Sequence, residues 1–160
     1  MTIAKGDRIP DVTLVKATDG GPEKVQSGDY FAGKKVALFS VPGAFTPTCS
    51  AKHLPGFKEH VADFKAKGVD AIACVSVNDA FVMDAWGKDQ KVGDKVAMLA
   101  DGSAKFADAL GLGLDLSDKG LGKRSQRYAM VVDDGVVKKL SVEEGGKFEV
   151  SSAESVLSGL

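Results

Sequence analysis

The segment from 41 to 50 reads Val-Pro-Gly-Ala-Phe-Thr-Pro-Thr-Cys-Ser, and its cysteine stands where a thiol can become a nucleophile. Thr46 is a good helix N-cap, and Pro47 falls at the first helical position, where its missing N–H leaves nothing unpaired. Cys49 then lands in the first turn. About half a unit of positive charge and several unpaired N–H donors gather there. Both favour thiolate over thiol, and the thiolate is the nucleophilic form. The Thr46 hydroxyl is expected to reach the backbone N–H of Cys49. The bland alternative is a small residue packed at a helix start, since free cysteine is among the most buried residue types.

The pattern Pro42-x-x-x-Thr46-x-x-Cys49 resembles the peroxiredoxin active-site motif, Pro-x-x-x-Thr/Ser-x-x-Cys. The longer string from Pro42 to Ser50, continued by Lys52-His53-Leu54-Pro55-Gly56-Phe57, is similar to the type II branch, also called the peroxiredoxin five branch. A second stretch, Ser125-Gln126-Arg127-Tyr128-Ala129-Met130-Val131-Val132, is similar to the segment that holds the family's active-site arginine, here Arg127. Gly6-Asp7-Arg8-Ile9-Pro10 and Asp133-Asp134-Gly135 extend the resemblance over essentially the whole chain.

That resemblance implies a thiol-dependent peroxidase for hydrogen peroxide and small alkyl hydroperoxides, an antioxidant enzyme of cell redox homeostasis. Cys49 would be the peroxidatic nucleophile, attacking one oxygen of the O–O bond and becoming sulfenic acid. Arg127, the Thr46 hydroxyl and N–H groups at the helix start would stabilise the departing hydroxide or alkoxide. Pro42 would shield the sulfur from water. No cofactor and no metal are implied. By position alone Arg127 reads as a solvated edge residue, and Lys123 and Arg124 read as surface cations.

Cys74 lies in the apolar run from Ala71 to Val77. It reads either as a core thiol or as a resolving cysteine, because some members of the branch carry one at this spacing. Others place it near the C-terminus, where this chain has Ser151 and Ser152 and no cysteine between Gly145 and Ser155. A direct bridge needs Cα atoms within about 7 Å. One-cysteine chemistry is therefore expected, with the sulfenic acid resolved by an outside thiol, either glutathione with glutaredoxin or thioredoxin. His53 and His60 read as surface or packing residues on the Cys49 helix rather than a metal pair. Trp86 and Phe81 read as core. Phe45 and Phe81 alternatively contribute to a homodimer face, since the branch commonly dimerises near its active site.

Alternating elements must position these residues. Lys35 to Val41 is a buried strand bounded by Gly33 and Pro42-Gly43. Residues 47 to 67 form a helix with Leu54, Phe57, Val61 and Phe64 on one side and Gly68 as its stop, and Pro55 is expected to kink it. Ala71 to Val77 is a second strand, and Asn78 is expected to cap a helix from about Asp79 to Gln90. Val96 to Ala100 is a strand and Ser103 to Leu110 a helix ended by Gly111. The Gly111-Leu-Gly113 string is too short for a nucleotide loop. Tyr128 to Val132 and Val136 to Val142 form a hairpin around Asp133-Asp134-Gly135, and Ser152 to Leu160 closes the chain as a helix. This order implies one α/β domain over residues 1–160, with a thioredoxin-like fold and a central mixed sheet covered by helices on both faces. The cysteine loop then leaves the carboxyl end of a strand, where sites of open α/β sheets gather.

The totals exclude several classes. The 160 residues are 44% hydrophobic and carry a formal net charge of −1, with no basic run for nucleic acid. No segment approaches the roughly 18 apolar residues of a membrane span, and no signal-like stretch follows Met1, so the cytoplasm is the expected location. Two cysteines do not make a disulfide framework. Two further readings use the same residues. One is a peroxide sensor or redox relay that passes oxidation to a partner. The other is a thioredoxin-fold binding module with an inert Cys49, which needs none of Pro42, Thr46, Cys49 and Arg127 together.

Overall fold

Residues 2–160 are described by a computed structural model. Three strands form the centre of the sheet: β3 (Lys35–Ser40), β4 (Ala71–Ser76) and β5 (Ala97–Ala100), all parallel. Numbering starts from an N-terminal hairpin, β1 (Thr13–Thr18) and β2 (Gly21–Gln26), whose β1 lies antiparallel to β5. On the other side β8 (Tyr128–Asp133) runs antiparallel to β3 and pairs with β9 (Val136–Val142). The order across the seven strands is β2-β1-β5-β4-β3-β8-β9. A separate two-stranded ribbon joins β6 (Gly113–Leu116) to β7 (Gly122–Ser125). The sheet is mixed, as the sequence implied.

Alternation along each strand divides the core into two layers. Ala37 and Phe39 of β3, Ile72 and Cys74 of β4 and Met98 of β5 face one side. There they meet α2 (Leu54–Glu59), α3 (Val61–Ala66), α4 (Ala80–Asp89) and α6 (Ala153–Ser158). Val36, Leu38, Ala73, Val75 and Leu99 face the other side, under α1 (Ser27–Phe31) and α5 (Lys105–Leu110). Phe39 stacks on Phe57 at 4.1 Å and Phe57 on Phe64 at 5.4 Å, which clamps the helical segment after the cysteine loop onto the sheet.

Three local expectations are corrected. The segment 47–67 is not one kinked helix. Proline 55 has no N–H to give to residue 51, and the turn before it widens into a π-turn over Cys49–His53, in which the Leu54 N–H reaches the Cys49 carbonyl. The break comes later, at His60, whose φ of −100° and ψ of 17° separate α2 from α3. The cap of α4 is Asp79, whose side chain accepts the Val82 N–H at 2.8 Å, rather than Asn78. Phe81 is not core: it is 72% exposed, whereas Trp86 is fully buried. The β8–β9 hairpin turns on Asp134 and Gly135, both with positive φ, as a two-residue turn requires.

Candidate active site

The loop after β3 is shaped by its own hydrogen bonds. The Thr46 N–H reaches the Gly43 carbonyl at 3.3 Å, and Phe45 is held at a φ of 66°. An aromatic residue in the left-handed region costs on the order of 1 kcal/mol, so the surroundings must enforce it. Asn78, freed from capping, accepts the Ala44 N–H at 3.0 Å and the Ser76 hydroxyl at 2.6 Å. The loop is thereby tied to the carboxyl end of β4. Arg124 is not a surface cation. It is half-buried, donates to the Leu121 carbonyl at 2.9 Å, and reaches the Pro42 carbonyl at 3.4 Å. Lys123 is exposed and pairs with Asp108.

Cys49 is buried at the start of the π-turn. The Thr46 hydroxyl does not cap the Cys49 N–H; it lies 2.7 Å from Sγ and 2.7 Å from the Gly43 carbonyl. A hydroxyl has one proton. Beside a thiolate it donates to sulfur; beside a thiol it donates to Gly43 and accepts the S–H. Arg127 stands just before β8, its carbonyl held by the Glu143 N–H at 2.9 Å. It is not a solvated edge residue: its Nη2 donates to Sγ at 3.0 Å. Thus Thr46, Cys49 and Arg127 meet at one sulfur. Pro42, half-buried, opens the loop, and its carbonyl is reached by Arg124; no hydrogen bond joins it to the Cys49 sulfur.

His53 is the residue that sequence reasoning undervalued. It is wholly buried, and its Nε2 lies 2.9 Å from the Ser151 carbonyl. A carbonyl only accepts, so Nε2 carries the proton and Nδ1 offers a lone pair. Nδ1 takes the Nη1–H of Arg127 at 2.7 Å. Burial, reinforced by the Arg127 charge, pushes the His53 pKa down to about 3. The imidazole is therefore neutral at neutral pH. Phe148 lies edge-on to His53 at 5.0 Å, with the guanidinium carbon 5.7 Å from its ring centre. The Trp86 indole donates to Ser50 at 3.0 Å and pins the π-turn to α4.

Cys74 sits mid-strand in β4, paired with Phe39 and Met98 on either side. Burial pushes its thiol well above the usual range; the Cys49 charge adds to this and Arg127 opposes it. Both cysteines are free thiols. His60 is partly exposed and pairs with Asp63 at 2.8 Å and Glu154 at 3.2 Å. No cluster of three or more metal-ligating side chains occurs among the described residues.

Comparison with known proteins matches this arrangement to a family. The Redoxin family covers residues 4–157. Peroxiredoxin-2B of Arabidopsis thaliana is 52% identical over 99% of this chain and 98% of its own length. The chain belongs to the peroxiredoxin family. A chloroplastic peroxiredoxin-2E-2 of Oryza sativa subsp. japonica is 57% identical over 99% of this chain and 73% of its own. Reduced Prx3 of Vibrio vulnificus, crystallised in complex with H2O2, superposes with a TM-score of 0.95 at 54% identity, covering 99% of each chain. Peroxiredoxin 5 of Alvinella pompejana follows at a TM-score of 0.86 and 39% identity, over 97% of this chain and 96% of its own. This peroxiredoxin is of the type II, peroxiredoxin-five-like kind, with the thioredoxin-like fold, and is a thiol-dependent peroxidase.

Proposed function

We propose that Cys49 is the peroxidatic nucleophile and that Thr46 and Arg127 stabilise its charge and then that of the leaving oxygen. One observation carries the reading: donors of two kinds converge on a single sulfur, a hydroxyl at 2.7 Å and a guanidinium at 3.0 Å. The Cys49 thiolate attacks the near oxygen of the peroxide. An S–O bond forms as the O–O bond breaks, and the far oxygen departs as hydroxide or alkoxide and takes up a proton. Charge thus moves from sulfur to the leaving oxygen, and fixed donors follow it without reorganising. Each such donor contributes about 3 kcal/mol in comparable sites. Pro42 is assigned the shielding role at the loop's entry.

The sulfenic acid is resolved by an outside thiol, glutathione with glutaredoxin or thioredoxin. The support is the placement of Cys74: a resolving cysteine attacks as thiolate, and this thiol is held protonated in a central strand. A compartment rich in small thiols, the cytoplasm, suits two free cysteines. A homodimer is supported by exposed apolar rings, Phe45 at 49% and Phe81 at 72%. The test is turnover of hydrogen peroxide with each reductant in turn, with dimedone trapping between turnovers. Dimedone adduct on residue 49 and turnover with either reductant are expected. Adduct elsewhere, or no turnover with any thiol, overturns the reading.

A further inference from the structure

The chain between β9 and α6 is folded around a single carboxylate. Oε2 of Glu143 accepts the backbone N–H groups of Glu149 at 2.8 Å, Val150 at 2.9 Å and Ser151 at 2.8 Å, and the Ser151 hydroxyl at 2.7 Å. The Glu143 side chain is buried, and its backbone N–H is the one that holds the Arg127 carbonyl. Three successive amides on one oxygen fix the direction of the peptide that follows. The result is a Ser151 carbonyl aimed at Nε2 of His53, and Phe148, from the same loop, packed on both His53 and Arg127.

That carbonyl, accepting from Nε2, and the Arg127 Nη1–H, donating to Nδ1, together fix which nitrogen of His53 carries the proton. Without the carbonyl Nε2–H loses its partner, and the ring gains by turning or by carrying its proton on Nδ1. A ring N–H would then confront a guanidinium N–H, donor against donor, and Arg127 would lose the contact that orients its other arm toward sulfur.

We propose that Glu143 is a positioning residue for peroxide reduction, setting the approach of Arg127 to Cys49 through the Ser151 carbonyl and the tautomer of His53. Glu143 touches none of the reacting atoms. The inference rests on the peroxidase reading for its kinetic consequences alone; the tautomer it dictates is independent of any substrate.

The test uses full-length Glu143→Ala, Glu143→Gln and Arg127→Ala, singly and combined. The second-order rate of the reduced protein with hydrogen peroxide is read by stopped-flow, and the His53 tautomer by imidazole ¹⁵N–¹H correlation. Glu143→Ala is expected to slow the peroxide step by roughly tenfold to a hundredfold, the scale of an ångström-size misplacement. Glu143→Gln, which keeps an acceptor oxygen, is expected to restore the rate to within about threefold of the parent. In the Arg127→Ala background Glu143→Ala should add less than about a twofold loss, because the two act as one unit. The parent should show one Nε2–H tautomer and Glu143→Ala a mixture. A folded Glu143→Ala with the parent rate, losses that multiply with Arg127→Ala, or an unchanged tautomer overturns the proposal. Should Glu143→Ala not fold, Glu143→Asp, one methylene too short for all four donors, runs the same cycle against the same criteria. A parent protein inert to peroxide would sink the peroxidase reading instead and leave the tautomer result standing.

Discussion

His53 makes a quantitative prediction about acid. The unfolded chain takes up a proton on this side chain near pH 6.5, whereas the folded protein does so only near 3, because burial and then Arg127 disfavour the cation. Between those values the unfolded state binds more protons, so stability falls as pH falls. The loss relative to high pH is RT ln[(1 + 10^(6.5−pH))/(1 + 10^(3−pH))], built from those two values. At pH 7 it amounts to roughly 0.2 kcal/mol and at pH 5 to about 2 kcal/mol. The perturbation is His53→Gln, whose amide can donate toward Ser151 and accept from Arg127 but does not titrate. Urea unfolding of both proteins at pH 7 and pH 5 gives the difference of differences. The parent should lose about 2 kcal/mol more than the variant over this interval. His60 acts in the opposite sense. Its hydrogen bond to Asp63, with Glu154 helping, raises its pKa. Its contribution is present at low pH and fades as pH rises through the raised value, but it is common to both proteins and cancels. Equal losses in parent and variant would refute the reasoning and mean that His53 titrates freely in the fold.

Other outcomes follow from the same geometry. Arg127→Ala should slow the reaction with hydrogen peroxide by about a hundredfold to a thousandfold, the scale for losing one fixed donor, and a stopped-flow rate near the parent would remove that residue from the chemistry. Thr46→Val keeps the shape and deletes the hydroxyl that bridges Sγ and the Gly43 carbonyl; a loss of roughly tenfold or more is expected in the same assay, and no loss would leave Thr46 a loop residue only. Cys74→Ser should leave the first oxidation rate unchanged within about twofold, since the thiol makes no contact with the leaving oxygen in the proposed step; a collapse of that rate in a folded variant would require a direct role.

The layered, mixed sheet was legible, though not the order of its strands, because β3, β4 and β5 are short apolar runs between turn residues, and buried parallel strands read that way. The N-terminal hairpin was not read from the sequence. Its turn, Asp19-Gly20, is a hairpin signal, but β2 carries Pro22, Glu23 and Lys24, the composition of an exposed edge rather than of a core strand. Cys49, Thr46 and Arg127 were legible as a set because a motif fixes their types. The hydroxyl's true target was not, since a side chain that reaches the backbone N–H of a cysteine can as readily reach that residue's sulfur. His53 was visible as a residue but not as a partner: its role depends on Ser151, distant in sequence and brought to it by Glu143. No spacing rule connects residues 53, 127, 143 and 151. Phe81 was misread because apolar spacing on a short helix does not say which of its rings the sheet leaves uncovered.

The central claim is that Cys49 alone receives oxygen from peroxide. The direct measurement is the intact mass of the reduced protein and of Cys49→Ser within seconds of adding one equivalent of hydrogen peroxide. The account predicts one added oxygen on the parent, mapped to Cys49, and no change in the variant. Loss of two hydrogens without added oxygen would mean that Cys74 closes onto Cys49, against one-cysteine chemistry. An unchanged parent, or oxygen gained equally by Cys49→Ser, would contradict the claim.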